Sequence, residues 1–252
     1  MTPRPGLRVK VLGDLVVRRG DGTCVERSEW HTSKTMDLLR ILALSNRRPV
    51  RLTSVTEQLW PDVSPDRARA SLRTAASQVR RAVGAQCVVR QGDGIVLQGA
   101  WVDAAVFLRD ARHVHTLART GRHSRALDLT LAAERLYVGD FHARDDDSSW
   151  ARAERDHLKQ CRKAMLCQAA ESAIELRDYR RAVTFAATAV RIDPTSEAGY
   201  RALMRSYAEL GEIGSALRAF EGLRAHLADE LGADPSNQTR ALHLSLLRGN
   251  SR

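Results

Sequence analysis

Between Ser64 and Gly84 the sequence sets Arg67, Arg69, Arg73, Arg80 and Arg81 among small and hydrogen-bonding residues, Ala70, Ser71, Thr74, Ser77 and Gln78. These residue types do recognition chemistry rather than bond-making chemistry. An arginine forks onto guanine or onto a phosphate, Ser, Thr and Gln hydrogen-bond base edges, and an alanine lets a backbone approach a groove floor. They act together only if something holds them on one face. Ser64 suits an N-cap, Pro65 the first helical position, Asp66 the positive end of the helix dipole, and Gly84 the left-handed residue that ends a helix. At 100° per residue Ala68, Leu72, Ala75, Ala76, Val79 and Val83 form one apolar stripe. The opposite side carries Arg67, Ala70, Ser71, Thr74, Ser77, Gln78 and Arg81, with Arg69, Arg73 and Arg80 along one flank. A merely solvated helix also shows an arginine-rich outer face, so this helix alone leaves both readings open.

The neighbouring elements favour recognition. Cys87 to Arg90 and Ile95 to Leu97 are short apolar runs around Gln91-Gly92-Asp93-Gly94, which predicts a hairpin. Upstream, Thr35–Leu44 and Ser54–Trp60 read as two short helices, the first capped by Ser33 and the second opened by a capping box, Ser54-Val55-Thr56-Glu57. Leu7, Val9 and Val11 alternate with Arg8 and Lys10, Leu15-Val16-Val17 follows, and Gly20-Asp21-Gly22 turns into Cys24-Val25, predicting three strands. Three helices followed by a hairpin make a winged helix, and the leading antiparallel sheet makes it an OmpR-like one. In winged helices Lys34, near the start of the first helix, and Arg90, in the wing, lie beside the sugar-phosphate backbone. Trp60 suits either the core, which its residue type favours, or an indole N–H turned to a phosphate.

Charge separates the chain into halves. Residues 1–100 hold 17 Lys plus Arg against 9 acids, and residues 101–252 hold 23 against 21. The excess in the first part fits a polyanionic partner. Cys24, Cys87, Cys161 and Cys167 lack the spacing of a metal clamp and read as reduced thiols. No apolar signal core opens the chain, so a soluble, cytoplasmic protein is expected. No phosphate-binding G-x-x-x-x-G-K-[ST] loop, H-E-x-x-H or G-x-S-x-G occurs. His113 and His115 diverge on a helix, where ligands need i, i+4 spacing. We therefore expect no enzyme, no metal and no cofactor.

Taken together, Leu59-Trp60-Pro61-Asp62, Ala68-Arg69-Ala70-Ser71-Leu72-Arg73-Thr74, Ser77-Gln78-Val79-Arg80-Arg81-Ala82-Val83-Gly84 and Val102-Asp103-Ala104-Ala105-Val106-Phe107 resemble the Streptomyces antibiotic regulatory protein family. The resemblance runs over nearly the whole chain. It departs at Ala75, where the family usually has an aromatic residue, at Ala70, usually Asn, at Met36, usually basic, and at Ile95, usually Tyr. The resemblance implies a winged-helix DNA-binding domain over residues 1–100 and a bacterial transcriptional activation domain over 101–252. It also implies a transcriptional activator on direct repeats at promoters, two copies side by side, with RNA polymerase and its sigma factor as partners and an antibiotic biosynthesis cluster as target.

From Asp103 onward the pattern is all-helical. Gly121 to Leu127, Arg177 to Val183 and Gly211 to Leu217 repeat a turn followed by a helix whose Ala-Leu or Ala-Val packs inward, the last two copies 34 residues apart, the tetratricopeptide period. Asp193-Pro194 and Asp234-Pro235 each separate two helices. Asp145, Asp146 and Asp147 point in different directions and read as the cap of a long helix from Trp150 to about Leu176 rather than a metal site. A second reading is a helical-repeat interaction module whose basic domain binds nucleic acid without sequence preference. The two readings differ in the ratio of specific to non-specific affinity, about a thousandfold or more for a specific binder.

Overall fold

Alternation along Leu7 to Lys10 puts Leu7 and Val9 inside and Arg8 and Lys10 outside, the register of a half-buried strand, β1 (Leu7–Lys10). The computed structural model describes residues 6–142 and 148–249. The Pro-rich first five residues and the acidic triplet Asp145–Asp147 lie outside them. β1 pairs antiparallel with β2 (Val16–Arg18), Val9 opposite Val17. The expected third strand at Cys24-Val25 is only a single bridge, Arg18 to Cys24. The third member is β6 (Ala100–Val102), which lies parallel to β1 with Leu7 opposite Ala100. A parallel neighbour needs a long crossover, and here everything between β2 and β6 supplies it.

Within that crossover come α1 (Ser33–Leu44), β3 (Val50–Arg51), α2 (Leu52–Leu59), α3 (Pro65–Val83), β4 (Val88–Gln91) and β5 (Gly94–Leu97). The second sheet runs β3-β5-β4, with the β4–β5 hairpin as the wing. Three caps differ from expectation, the first being Ser64, which precedes α3 as its N-cap but makes no capping hydrogen bond with its side chain. Thr32, in extended conformation, caps α1 by accepting from the Thr35 amide at 3.3 Å, so Ser33 is the first helical residue. The helix α2 begins at Leu52, directly after β3, because the Leu52 N–H finds the Asp93 carbonyl of the wing turn at 3.0 Å. Ser54 and Glu57 therefore lie inside the helix and form no capping box. Gly84 ends α3 at φ +105°, which suits glycine. Gly94 is required by space: a Cβ there would stand 3.0 Å from both Pro49 Cβ and the Val50 carbonyl.

The chain divides into two compact units, residues 1–108 with 134–156, and residues 109–133 with 157–252. In the first, Asp103 opens α4 (Asp103–Arg119) and is 1% exposed. Its carboxylate accepts from the amides of Val11 at 2.9 Å, Leu12 at 3.1 Å and Ala104 at 2.8 Å, tying the end of β1 to the start of the helix. Burial pushes this carboxyl above its usual range while the three N–H donors pull it back. Arg19 joins β2 to α3 by donating to the Ala82 carbonyl at 2.7 Å, one of the helix's last carbonyls, and pairs with Glu29. Buried Asp37 on α1 binds Arg40 at 2.8 Å and His142 at 3.0 Å.

The second unit is built from α4 from Arg109 onward, α5 (His123–Glu134), α6 (Ser149–Glu175), α7 (Tyr179–Ile192), α8 (Glu197–Glu209), α9 (Ile213–Leu231) and α10 (Asn237–Gly249), with α4, α5 and α6 extending into residues of the first. Helix pairs of tetratricopeptide type stack through small residues. Ala126, Ala182 and Ala216, the inward alanines of the three repeated turns, are fully buried. The core gathers Leu166, Ala169, Phe185, Ala189, Leu203, Leu223 and Leu227. Gly199 of α8 lets the chain approach α7, since a Cβ would stand 2.8 Å from Val190 Cγ1. Lys163 meets Asp193 at 2.7 Å, and Glu197 accepts from Ser236 and Thr239, each at 2.5 Å.

Two outcomes follow from these anchors. Asp103→Ala should leave buried amides without acceptors and cost about 3 kcal/mol or more in thermal or urea unfolding. Burial disfavours the Glu197 charge, but the Ser236 and Thr239 hydroxyls, the Ser236 amide and Arg201 outweigh it and hold the carboxyl below its usual value. Its stabilisation is therefore full above the unfolded-state value of about 4.3 and lost as pH falls through the lower folded value. Glu197→Gln should flatten that acid limb in a pH series of melting temperatures.

Candidate nucleic-acid interface

Helix α3 buries Ala68, Leu72, Ala75, Ala76, Ala82, Val79 and Val83, each 5% exposed or less, against the rest of the first unit. What remains outward is set by that choice. Arg67, Arg69, Ala70, Arg73, Thr74, Ser77 and Arg81 are exposed, and Ser71, Gln78 and Arg80 are half-buried. Thr74 back-bonds to the Ala70 carbonyl at 3.3 Å, and Arg69 stands 3.7 Å from Asp66.

The two half-buried polar residues are partly occupied within the unit. The Gln78 carbonyl oxygen accepts from the Thr35 hydroxyl at 2.6 Å, so it links α3 to the start of α1. Arg80 Nε donates to the Val88 carbonyl at 2.8 Å and fastens α3 to the wing. Arg90 Nε reaches the Gly92 carbonyl in the wing turn at 3.2 Å. Lys34 sits half-buried in the first turn of α1, and Trp60 is half-buried at the end of α2.

Between α2, α3 and the wing lies a cleft of about 620 Å³. It gathers Arg69, Arg73, Arg80 and Arg90 around Leu72, Ala76 and Ile95, together with Leu52, Thr53 and Thr56 of α2. Four guanidinium groups with no carboxylate in the lining make it strongly attractive to anions. Lys34 and Trp60 are not part of it, and Ala70, Thr74, Ser77 and Arg81 face outward beside it. Sequence alone assigns Thr53 no role and Thr56 only a place inside the expected capping box; their spacing of three becomes a signal only once α2 is known to begin at Leu52.

Residues 102–247 match the family described as the bacterial transcriptional activator domain. The chain belongs to this family. Regulatory protein AfsR of Streptomyces coelicolor is 25% identical over 248 residues, which are 97% of this chain and 24% of AfsR. Transcriptional regulatory protein EmbR of Mycobacterium tuberculosis is 25% identical over 238 residues, 90% of this chain and 60% of EmbR. The chain thus spans about a quarter and three-fifths of these relatives. The structure of Mycobacterium tuberculosis EmbR in complex with a low affinity phosphopeptide matches at TM-score 0.81 and 24% identity, over 96% of this chain and 65% of that one. The resemblance to the Streptomyces antibiotic regulatory proteins is borne out, as is the winged helix followed by tetratricopeptide-like helices.

The family's usual aromatic, replaced here by Ala75, would occupy a buried position, 4% exposed, whereas Ala70 is on the outer face and Met36 is half-buried. Ile95, in place of the usual Tyr, lies in the cleft and is 3% exposed. Among the described residues no group of three His, Cys, Asp or Glu could hold a metal, and no helix is long and apolar enough to cross a membrane. Burial raises the Cys87 and Cys167 thiols above their ordinary range, so both stay protonated at neutral pH.

Arg80 and Arg81 are adjacent yet differently placed, and their variants should separate. Arg80→Ala should lower stability by about 1 kcal/mol in thermal unfolding, because the wing loses its tie to α3. Arg81→Ala should leave the melting temperature unchanged.

Proposed function

We propose that this chain is a transcriptional regulator, a sequence-specific activator that reads duplex DNA with the outer face of α3. The single observation carrying this reading is the exposure of Ala70, Thr74, Ser77 and Arg81 on one face of a helix whose flank turns Arg69, Arg73 and Arg80 into a basic cleft. Base-edge contacts then fall to the outer face and phosphate contacts to the cleft arginines, Lys34 and Arg90. Gln78 and Trp60 take part through their exposed portions. On this reading residues 1–100 carry DNA binding and residues 101–252 carry activation, through contacts with RNA polymerase and its sigma factor. Two copies bind direct repeats head to tail, in the cytoplasm on the nucleoid, at promoters of an antibiotic biosynthesis cluster.

The alternative, a non-specific nucleic-acid binder joined to an interaction module, predicts no base preference at all. Gel shifts with the full chain decide between them. An inserted half turn, about five base pairs between repeats, should abolish cooperative binding. Arg81→Ala or Thr74→Ala should relax preference at one or two base pairs, by about 1–3 kcal/mol each. Unchanged cooperativity together with unchanged preference in both variants would contradict specific reading by α3.

A further inference from the structure

The cleft beside α3 has more than a phosphate track needs. The phosphates of a duplex gain from Arg69, Arg73, Arg80 and Arg90, whereas an apolar wall can serve only the small C–H edges of the sugars. Here the wall is largely carbon, with Leu52, Leu72, Ala76 and Ile95 in the lining. At about 620 Å³ the space falls within the range of small-molecule sites, which combine a mostly apolar surface with a few placed polar groups.

Two of the guanidinium groups are held in position. Arg80 is fixed by the Val88 carbonyl and Arg90 by the Gly92 carbonyl. Arg73 makes no hydrogen bond or ion pair among the described residues, and the Thr53 and Thr56 side chains stand on the α2 side. Donors already held in place bind with less loss of side-chain freedom. We infer that the cleft between α2, α3 and the wing is a binding site for a small amphipathic anion, a flat apolar body bearing a phosphate, sulfonate or carboxylate head. The head meets Arg73 and its neighbours, and the body lies on Leu72, Ala76 and Ile95. Resting on the reading that the α3 flank meets DNA, its occupancy competes with the duplex and would couple DNA binding to a metabolite of that class.

Methyl-labelled full-length protein tests this with three probes: 2-naphthyl phosphate, inorganic phosphate and 2-naphthol. The Leu52, Leu72 and Ile95 methyl resonances should shift saturably with 2-naphthyl phosphate, at concentrations about tenfold or more below either partial probe, since head and body contribute together. Arg73→Ala should weaken that binding about tenfold. 2-Naphthyl phosphate should release a fluorescein-labelled duplex where inorganic phosphate at equal ionic strength does not. Absence of saturable shifts at these methyls, or equal effects of inorganic phosphate, would overturn the site. Probe binding by a chain that binds no duplex would support the site and contradict the DNA reading; duplex binding without probe binding would do the reverse.

Discussion

The winged-helix unit depends on burying one narrow stripe of α3. Leu72, Val79 and Val83 are at most 5% exposed, and each such side chain contributes about 1.5–3 kcal/mol on leaving water. Rotating the helix by one residue would lose this burial and carry Arg73 or Arg80 inward as well, which adds a desolvation cost of several kcal/mol. The buried face therefore determines the exposed one. A residue reaches the outer surface of α3 because its neighbour along the helix had to be inside.

How this helix is held explains which parts of the fold were legible beforehand. The span of α3, the wing and the repeated turns of the helical unit are local patterns, written in spacing and turn residues. The partner of β1 was not local: β6 pairs with it from about ninety residues away, whereas Cys24-Val25 carried the local strand pattern and Ala100–Val102 carried none that marked a strand. The role of Asp103 was hidden for the same reason, since the amides it accepts from belong to Val11 and Leu12. The start of α2 was missed because its first amide is satisfied by Asp93 in the wing turn rather than by a capping side chain.

The candidate site divides in the same way. Periodicity alone separated the outer face from the flank of α3, and Arg69, Arg73 and Arg80 do lie together in the cleft. Periodicity could not show that Gln78 is engaged by Thr35 or that Arg80 is tied to Val88, because those partners come from α1 and β4. Nor could it show the apolar wall, which needs Leu52 from α2 and Ile95 from the wing beside Leu72. A single helix thus takes part in two tasks, its stripe holding the unit and its flank closing a cleft, and its outer face is the one we propose for a DNA groove.

Alanine methyl groups on α3 give the most direct test of which face meets DNA, because the helix carries its own controls. Ala70 is exposed, while Ala68 and Ala82, each 2% exposed, lie on the opposite side and outside the cleft. With methyl-labelled alanine and a duplex selected from a random pool, the Ala70 resonance should shift and contact DNA protons, whereas Ala68 and Ala82 should show no DNA contacts. An Ala70 methyl that makes no contact with a tightly bound duplex would contradict the account.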